Sequence, residues 1–387
     1  MEVVELKAKR AGVTRAFGHP WVFSQGLTSR PALPPGTLVR VLAGDEALGF
    51  AFFHPGNSIA LRMVHFAPTL PDNWLEERLG AALQLRLRHP LPFPRRGFRW
   101  VHGENDALPG LTVDHFGDWL SLQVQSAGME LLLPRLQTAL MTLSGVKVLF
   151  ERSEGAPRKQ EGLPPRRGFL SGTCSFPQQI EEDGLRFLVD PGDQKTGFYL
   201  DQAPNRVRLK SMVQGKRVLD LCCFSGGFSL AALAAGAECV WAVDSSAQAL
   251  QRLEENRGLN ALPDRVRCIR SDVFEFLAQP AEPFDFVILD PPPFARAVAD
   301  REAALKAYRR LNRLVAPWVA EGGRLMTFSC SGTIEEAAFA QSVFLSMRDA
   351  GREAQRLASL GPGPDHPVNL RFPEGAYLKG LDLVCYS

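Results

Sequence analysis

From about residue 185 onward the sequence alternates between short apolar runs, each closed by a polar or acidic residue, and longer stretches with the spacing of amphipathic helices. The runs fall at 217–222, 239–244, 266–270, 284–290 and 323–330, and the helical stretches at 228–235, 247–257, 273–278, 301–319 and 335–347. A strand that is apolar throughout is buried on both faces, and strands separated by helices return to the same sheet end as parallel neighbours. Residues 184–387 are therefore expected to form a doubly wound α/β domain, with any ligand beyond the carboxyl ends of the strands.

The preceding residues have a different texture. Residues 1–69 hold short apolar alternations between turn signals such as Pro34-Pro-Gly36 and His54-Pro-Gly-Asn57, the pattern of a small β-barrel. Within them Lys7, Lys9, Arg10, Arg15, Arg30, Arg40 and Arg62 outnumber Glu2, Glu5, Asp45 and Glu46, so this piece suits a phosphate backbone. Residues 70–183 begin after Pro68 with an amphipathic helix at 74–88. Strands at 98–101, 111–113, 119–124 and 146–150 and a helix at 130–143 follow, which makes a small α+β module. Arg86, Arg88, Arg95, Arg96 and Arg99 lie in a stretch free of acids, and Arg10, Arg95 and Arg96 are the cations expected to meet a nucleic acid.

Overall charge does not decide the matter, because 44 Lys and Arg nearly cancel 42 Asp and Glu. That balance excludes a disordered polyelectrolyte. The seven cysteines are odd in number, with no C-x-x-C spacing and no histidine pair at zinc-ligand distance, so neither a disulfide framework nor a metal site is expected. The acidic, interrupted N-terminus does not read as a secretion signal, and the charge-free run 221–237 carries three glycines and reads as strand, turn and helix rather than a membrane span. The expected setting is the cytoplasm.

The strand ends carry the chemistry. After the first strand, Cys223-Phe-Ser-Gly226-Gly227 forms a glycine turn at a helix N-terminus, but not the G-x-G-x-x-G of pyrophosphate-bearing dinucleotides. Asp244, followed by Ser245, ends the second strand and is placed to accept from ribose hydroxyls. Asp272 follows the third and is placed to accept from an adenine amine while Val273 packs on the ring. Each acid alone is an ordinary helix cap. In series with the glycine turn and Asp290 they point to S-adenosylmethionine.

Asp290-Pro-Pro-Pro-Phe294 follows the fourth strand, and its prolines stiffen a turn holding an acid and an aromatic ring. Such a rim suits a flat base, with Pro291, Pro292 and Phe294 as substrate contacts. Cys330 ends the fifth strand, and neighbouring strand tips lie about 5 Å apart, so Asp290 and Cys330 are expected to share one pocket. That pairing suits methylation of a pyrimidine at C5, a carbon that becomes nucleophilic only after a thiolate adds to C6. A buried, inert cysteine is the structural alternative.

Other segments extend the pattern: His19-Pro-Trp-Val-Phe23, the stretch 103–114, Gln194-Lys-Thr-Gly-Phe-Tyr-Leu-Asp-Gln202, Leu219-Asp-Leu221 with Ser225-Gly-Gly-Phe228, Ser329-Cys-Ser331, Asp365-His-Pro-Val368 and Tyr377-Leu-Lys379. With these the chain resembles the bacterial 23S rRNA 5-methylcytosine methyltransferases of the large-subunit methyltransferase I type, over nearly its whole length. The resemblance implies an N-terminal PUA domain, a small central domain and a C-terminal Rossmann-like class I methyltransferase domain. It also implies that Lys195, Thr196, Gly197, Asp201 and Gln202 wrap the cofactor together with Asp220, Phe224, Ser225, Gly226 and Gly227 of the first motif. The family's nucleophile falls on Cys330, its motif acid on Asp290, and its substrate is 23S ribosomal RNA. One departure is visible: Cys222 and Phe224 stand where the family usually has Phe and Tyr. Two rival readings stay open, methylation of an exocyclic base amine and a non-catalytic RNA-binding protein, and so does assembly as a homodimer.

Overall fold

The computed structural model describes residues 1–193, 197–295 and 298–387. The chain forms two compact units, one of residues 1–90, 96–176 and 364–375, the other of 91–95, 177–363 and 376–387.

The first unit contains two five-stranded sheets. One joins β1 (Val3–Glu5), β2 (Trp21–Phe23), β3 (Thr37–Ala43), β4 (Glu46–Phe53) and β5 (Ile59–His65) in the order β1-β3-β4-β5-β2. Its buried face includes Val39, Val41, Ala51, Phe53 and Leu61. Gly49 is obligatory, since its φ is +145° and a Cβ there would lie 2.0 Å from the His65 carbonyl oxygen. Helix α1 (Ala8–Phe17) was not expected. Its sequence lacks an apolar stripe, and it ends on Gly18, whose left-handed conformation lets its N–H reach Thr14 O.

The other sheet, in the order β10-β9-β8-β7-β6, comprises β6 (Gly97–His102), β7 (Leu111–Phe116), β8 (Trp119–Val124), β9 (Val148–Ser153) and β10 (Arg166–Ser171). It is accompanied by α2 (Trp74–Arg88), α3 (Ala127–Leu131), α4 (Leu133–Ser144) and α5 (Ala156–Gln160). The acid-free arginine stretch is partly structural here. Arg86 is buried, bidentate to Asp106 at 2.6 and 2.8 Å, and it also donates to the Asp365 carbonyl. Arg99 is paired with Asp114. The neutralising acids come from later in the chain, so the local sequence overstates the free positive charge.

The second unit opens with a hairpin of β11 (Gln178–Glu182) and β12 (Leu185–Val189), a separate two-stranded sheet rather than the start of the α/β alternation. The seven-stranded sheet follows: β13 (Arg217–Leu221), β14 (Cys239–Asp244), β15 (Val266–Arg270), β16 (Phe284–Leu289), β17 (Val319–Ser329), β18 (Glu353–Leu360) and β19 (Lys379–Tyr386), in the order β15-β14-β13-β16-β17-β19-β18. The first five are parallel as expected, while β19 is antiparallel between β17 and β18. Strands β18 and β19 escaped the sequence reading because β18 is mostly exposed and β19 carries buried Lys379 and Asp382 inside its apolar run. Asp382 is neutralised by Arg208 and Arg324. Helices α6 (Ala203–Lys210), α7 (Gly227–Ala234), α8 (Ala247–Leu259), α9 (Val273–Leu277), α10 (Arg301–Val315) and α11 (Glu336–Asp349) accompany this unit. Leu219, Val287, Leu325, Tyr308 and Phe339 belong to its main core. The sheet order reverses between β13 and β16, which is where ligands enter such folds. Among the described residues, no helix is long and apolar enough to cross a membrane.

Candidate active site

At the carboxyl end of β13 the chain turns sharply, with Cys222 at φ +63° and Phe224 at φ +49°. Left-handed backbone at non-glycine residues is strained and needs surrounding support. Asp244 supplies it: Oδ2 accepts from Phe224 N at 2.9 Å and Oδ1 from Ser246 N at 2.9 Å. Gly226 caps α7 at φ +82°, and a Cβ there would lie 2.4 Å from Leu253 Cγ, so this glycine permits helix packing behind the turn. Gly227, Phe224 and Ser225 line a cleft of about 190 Å3.

The same cleft is lined by Asp244 and Ser245 at the end of β14, Asp272 and Val273 beyond β15, and Asp290, Pro291 and Pro292 beyond β16. Cys330 beyond β17 and the 3-10 turn residues Asp201 and Gln202 complete this set. Asp272 also caps α9, its Oδ1 accepting from Phe274 N at 2.8 Å and Glu275 N at 3.3 Å. Gln202 donates to Asp290 Oδ2 at 3.0 Å and is itself oriented by Asn205 at 2.6 Å. Asp201 accepts from the Tyr377 hydroxyl. The Cys330 thiol is half-buried, and its Sγ donates to Pro291 O at 3.6 Å, which ties the β16 and β17 tips together.

Several expected site residues lie elsewhere. Asp220 is buried beneath the turn, where its Oδ2 accepts from the Ser229 hydroxyl at 2.6 Å, and burial raises its carboxyl to about 7. A carboxyl raised above its unfolded value favours folding fully at low pH and loses that contribution as pH rises through about 7. Asp220→Asn cannot ionise. Its stability relative to wild type is therefore expected to improve between about pH 4 and 7, as read by denaturant midpoints; a constant difference would contradict the shift. Gly197, at φ +102°, packs over Asp190 rather than lining the cleft. Lys195 and Thr196 lie outside the described residues. Phe294 packs edge-on against Tyr308 at 4.8 Å, not in the cleft, because the chain beyond the prolines turns back into the core at Ala295. Arg10 is half-buried and donates to the Trp21 carbonyl. Arg95 pairs by backbone with Glu182, and Arg96 is exposed with an ion pair to Asp118 at 2.9 Å.

Sequence reasoning missed Tyr199, Arg206 and Lys379. Tyr199 lines the cleft edge-on to Phe224 at 5.1 Å, with its phenol pushed upward first by burial and then by the nearby acids. Arg206 lines it too, its charge met by Glu182 at 2.7 and 2.9 Å. Tyr199 and Lys379 stood inside recognisable segments, but nothing in the sequence distinguished them from packing residues.

The balance of charge selects a ligand. Four aspartates, Asp201, Asp244, Asp272 and Asp290, meet in a cleft whose one lining arginine among the described residues is already paired, while Phe224, Phe228 and Val273 supply apolar wall. That combination fits a cationic sulfonium bearing an adenosyl group, with hydroxyls for the Asp244 acceptors, and disfavours a polyphosphate.

Comparisons with known proteins agree. A family model for S-adenosylmethionine-dependent methyltransferases matches residues 165–367, and one for PUA-like domains matches 4–66. Among curated proteins, the chain is similar to "Ribosomal RNA large subunit methyltransferase I" from Aeromonas salmonicida, at 39% identity over 377 residues and 94% of each chain. It is also similar to the protein of that name from Cronobacter sakazakii, at 37% over 376 residues and 94% of each. Among solved structures, a candidate S-adenosylmethionine-dependent methyltransferase from Streptococcus mutans matches with TM-score 0.83 at 18% identity, covering 99% of this chain and 100% of that one. A candidate methyltransferase solved with SAH matches with TM-score 0.83 at 20% identity, covering 99% of each. These structures establish the shared fold. The cofactor of the domain is S-adenosylmethionine.

Proposed function

Because the chain belongs to the ribosomal RNA large subunit methyltransferase I family, we propose that it methylates a cytosine of 23S ribosomal RNA at C5 through a transient bond from Cys330 to C6. The observation that carries this reading is the meeting of Cys330 and Asp290 at neighbouring strand tips on one cleft. S-adenosylmethionine, held by Asp244, Asp272 and the turn at Phe224–Gly227, supplies an electrophilic methyl group. The Cys330 thiolate adds to C6, opening the 5,6 double bond and making C5 nucleophilic, while Asp290, oriented by Gln202 and protonated for this step, gives its proton to N3, where the displaced electron pair arrives. Transfer to C5 breaks the methyl–sulfonium bond and leaves S-adenosylhomocysteine; a water molecule then takes the C5 proton, the 5,6 double bond re-forms as the Cys330 thiolate departs, and N3 returns its proton to Asp290.

Pro291 and Pro292 give the base a stiff apolar rim. Residues 1–69 serve as the PUA-like RNA-binding domain, 70–183 as the central domain and 184–387 as the methyltransferase. Of Arg10, Arg95 and Arg96, Arg96 is the exposed one and so the best placed for phosphate, since its exposed ion pair is worth little and exchanges readily.

The test is nucleoside mass spectrometry of 23S rRNA transcript incubated with full-length protein and methyl-labelled cofactor. The expected product is 5-methylcytidine; label on N4 of cytidine or N6 of adenosine would replace C5 transfer with amine methylation.

A further inference from the structure

We propose that Lys379 is a positioning residue whose ammonium fixes the turn carrying Cys330 and stabilises its thiolate, an inference that rests on Cys330 being the attacking thiol. Lys379 opens β19 directly across from Ser329, the residue before Cys330 in the chain. It is 5% exposed, which is unusual for a lysine without functional or structural cause. Its Nζ donates to the Ser331 carbonyl at 2.7 Å and to the Ile334 carbonyl. Ser331 is held from the other side as well, its hydroxyl hydrogen-bonded to the Tyr308 hydroxyl at 3.0 Å and accepting from Ala295 N at 3.2 Å. The residue after the cysteine is thus clamped by three elements.

The electrostatic setting gives the ammonium a second effect. In the thiol form Cys330 donates to the Pro291 carbonyl, and deprotonation forfeits that bond and turns the carbonyl dipole against the sulfur. The other groups facing the cysteine give little help. Asp290 from β16 is acidic, Tyr199 and Tyr308 are phenols whose pKa burial raises, and Arg206 is committed to Glu182. Glu336 at the start of α11 bears on Lys379 rather than offering positive charge. Lying across from Ser329 and bonded to the Ser331 carbonyl, Lys379 brings a positive charge to both chain neighbours of Cys330, and a positive charge near a thiol favours the thiolate. Burial lowers the lysine itself to about 8, with Cys330 and Glu336 opposing that fall, so the ammonium is present near neutral pH.

The test is the pH dependence of Cys330 alkylation by iodoacetamide, resolved by peptide mass spectrometry on the full-length wild type, Lys379→Met and Lys379→Arg. In the wild type the midpoint is expected below about 8.5, the value of an unperturbed thiol. In Lys379→Met it is expected to rise by about one unit or more, slowing alkylation at pH 7 about tenfold, while Lys379→Arg stays near wild type. A wild-type midpoint at or above that of a free thiol overturns the proposal without any variant, which covers the case where Lys379→Met fails to fold. Equal midpoints in folded wild type and Lys379→Met overturn it too. Because alkylation reads the thiol and not turnover, this result is separate from whether Cys330 is required for methylation.

Discussion

Replacing Cys330 with alanine is expected to lower methyl transfer to RNA by more than about a thousandfold while changing S-adenosylmethionine affinity by less than about twofold. The separation follows from where the sulfur sits. Its hydrogen bond to the Pro291 carbonyl lies on the rim of the cleft, whereas the turn and acids assigned to the cofactor hang from β13, β14 and β15. Removing it leaves the adenosyl site intact but deprives cytosine C5 of its activation. Transfer assays with labelled cofactor, paired with calorimetry, measure both quantities. Full transfer by Cys330→Ala would end the C6-adduct mechanism and favour methylation of a base amine, for which Asp290 and the proline carbonyls suffice. A loss of both transfer and cofactor binding would mean instead that the thiol supports the fold of the rim.

The second large effect concerns Asp244→Ala, expected to weaken S-adenosylmethionine binding by roughly 2–4 kcal/mol, or about thirty- to a thousandfold. Two causes combine. The ribose hydroxyls lose a charged acceptor, and the Phe224 and Ser246 N–H groups lose the carboxylate that now holds the left-handed turn. Asp244→Asn keeps one acceptor oxygen and is expected to fall between wild type and alanine. Calorimetry on the two variants, with thermal unfolding as control, distinguishes the causes. Unchanged affinity in folded Asp244→Ala would remove Asp244 from the cofactor and leave it as a brace of the turn alone.

Strands β13 and β16 were legible because they are buried on both faces, which leaves a mostly apolar run in the sequence. Val218, Leu219 and Leu221, or Phe286 to Leu289, have no alternative to the core of a sheet. Asp244 and Asp290 were legible because each directly follows the last buried apolar residue of its strand, Val243 and Leu289. The later strands were not. In β19 the buried Lys379 and Asp382 are tolerated only because Ser331, Ile334, Arg208 and Arg324 satisfy them, and those partners lie tens of residues away.

The same distinction runs through the site. Local patterning was enough to establish a doubly wound sheet with Asp244, Asp272, Asp290 and Cys330 at its strand ends, because burial and chain reversal are properties of neighbouring residues. Which of these groups reach one cleft was decided by tertiary packing. Phe294 was drawn onto Tyr308, Asp220 and Gly226 were placed behind the turn, Tyr199 was brought into the cleft, and Lys379 was bonded to the Ser331 carbonyl that follows Cys330. Hydrogen bonds and charge pairing act across space rather than along the chain, so the partner that gives a side chain its role need not leave any trace in the residues around it.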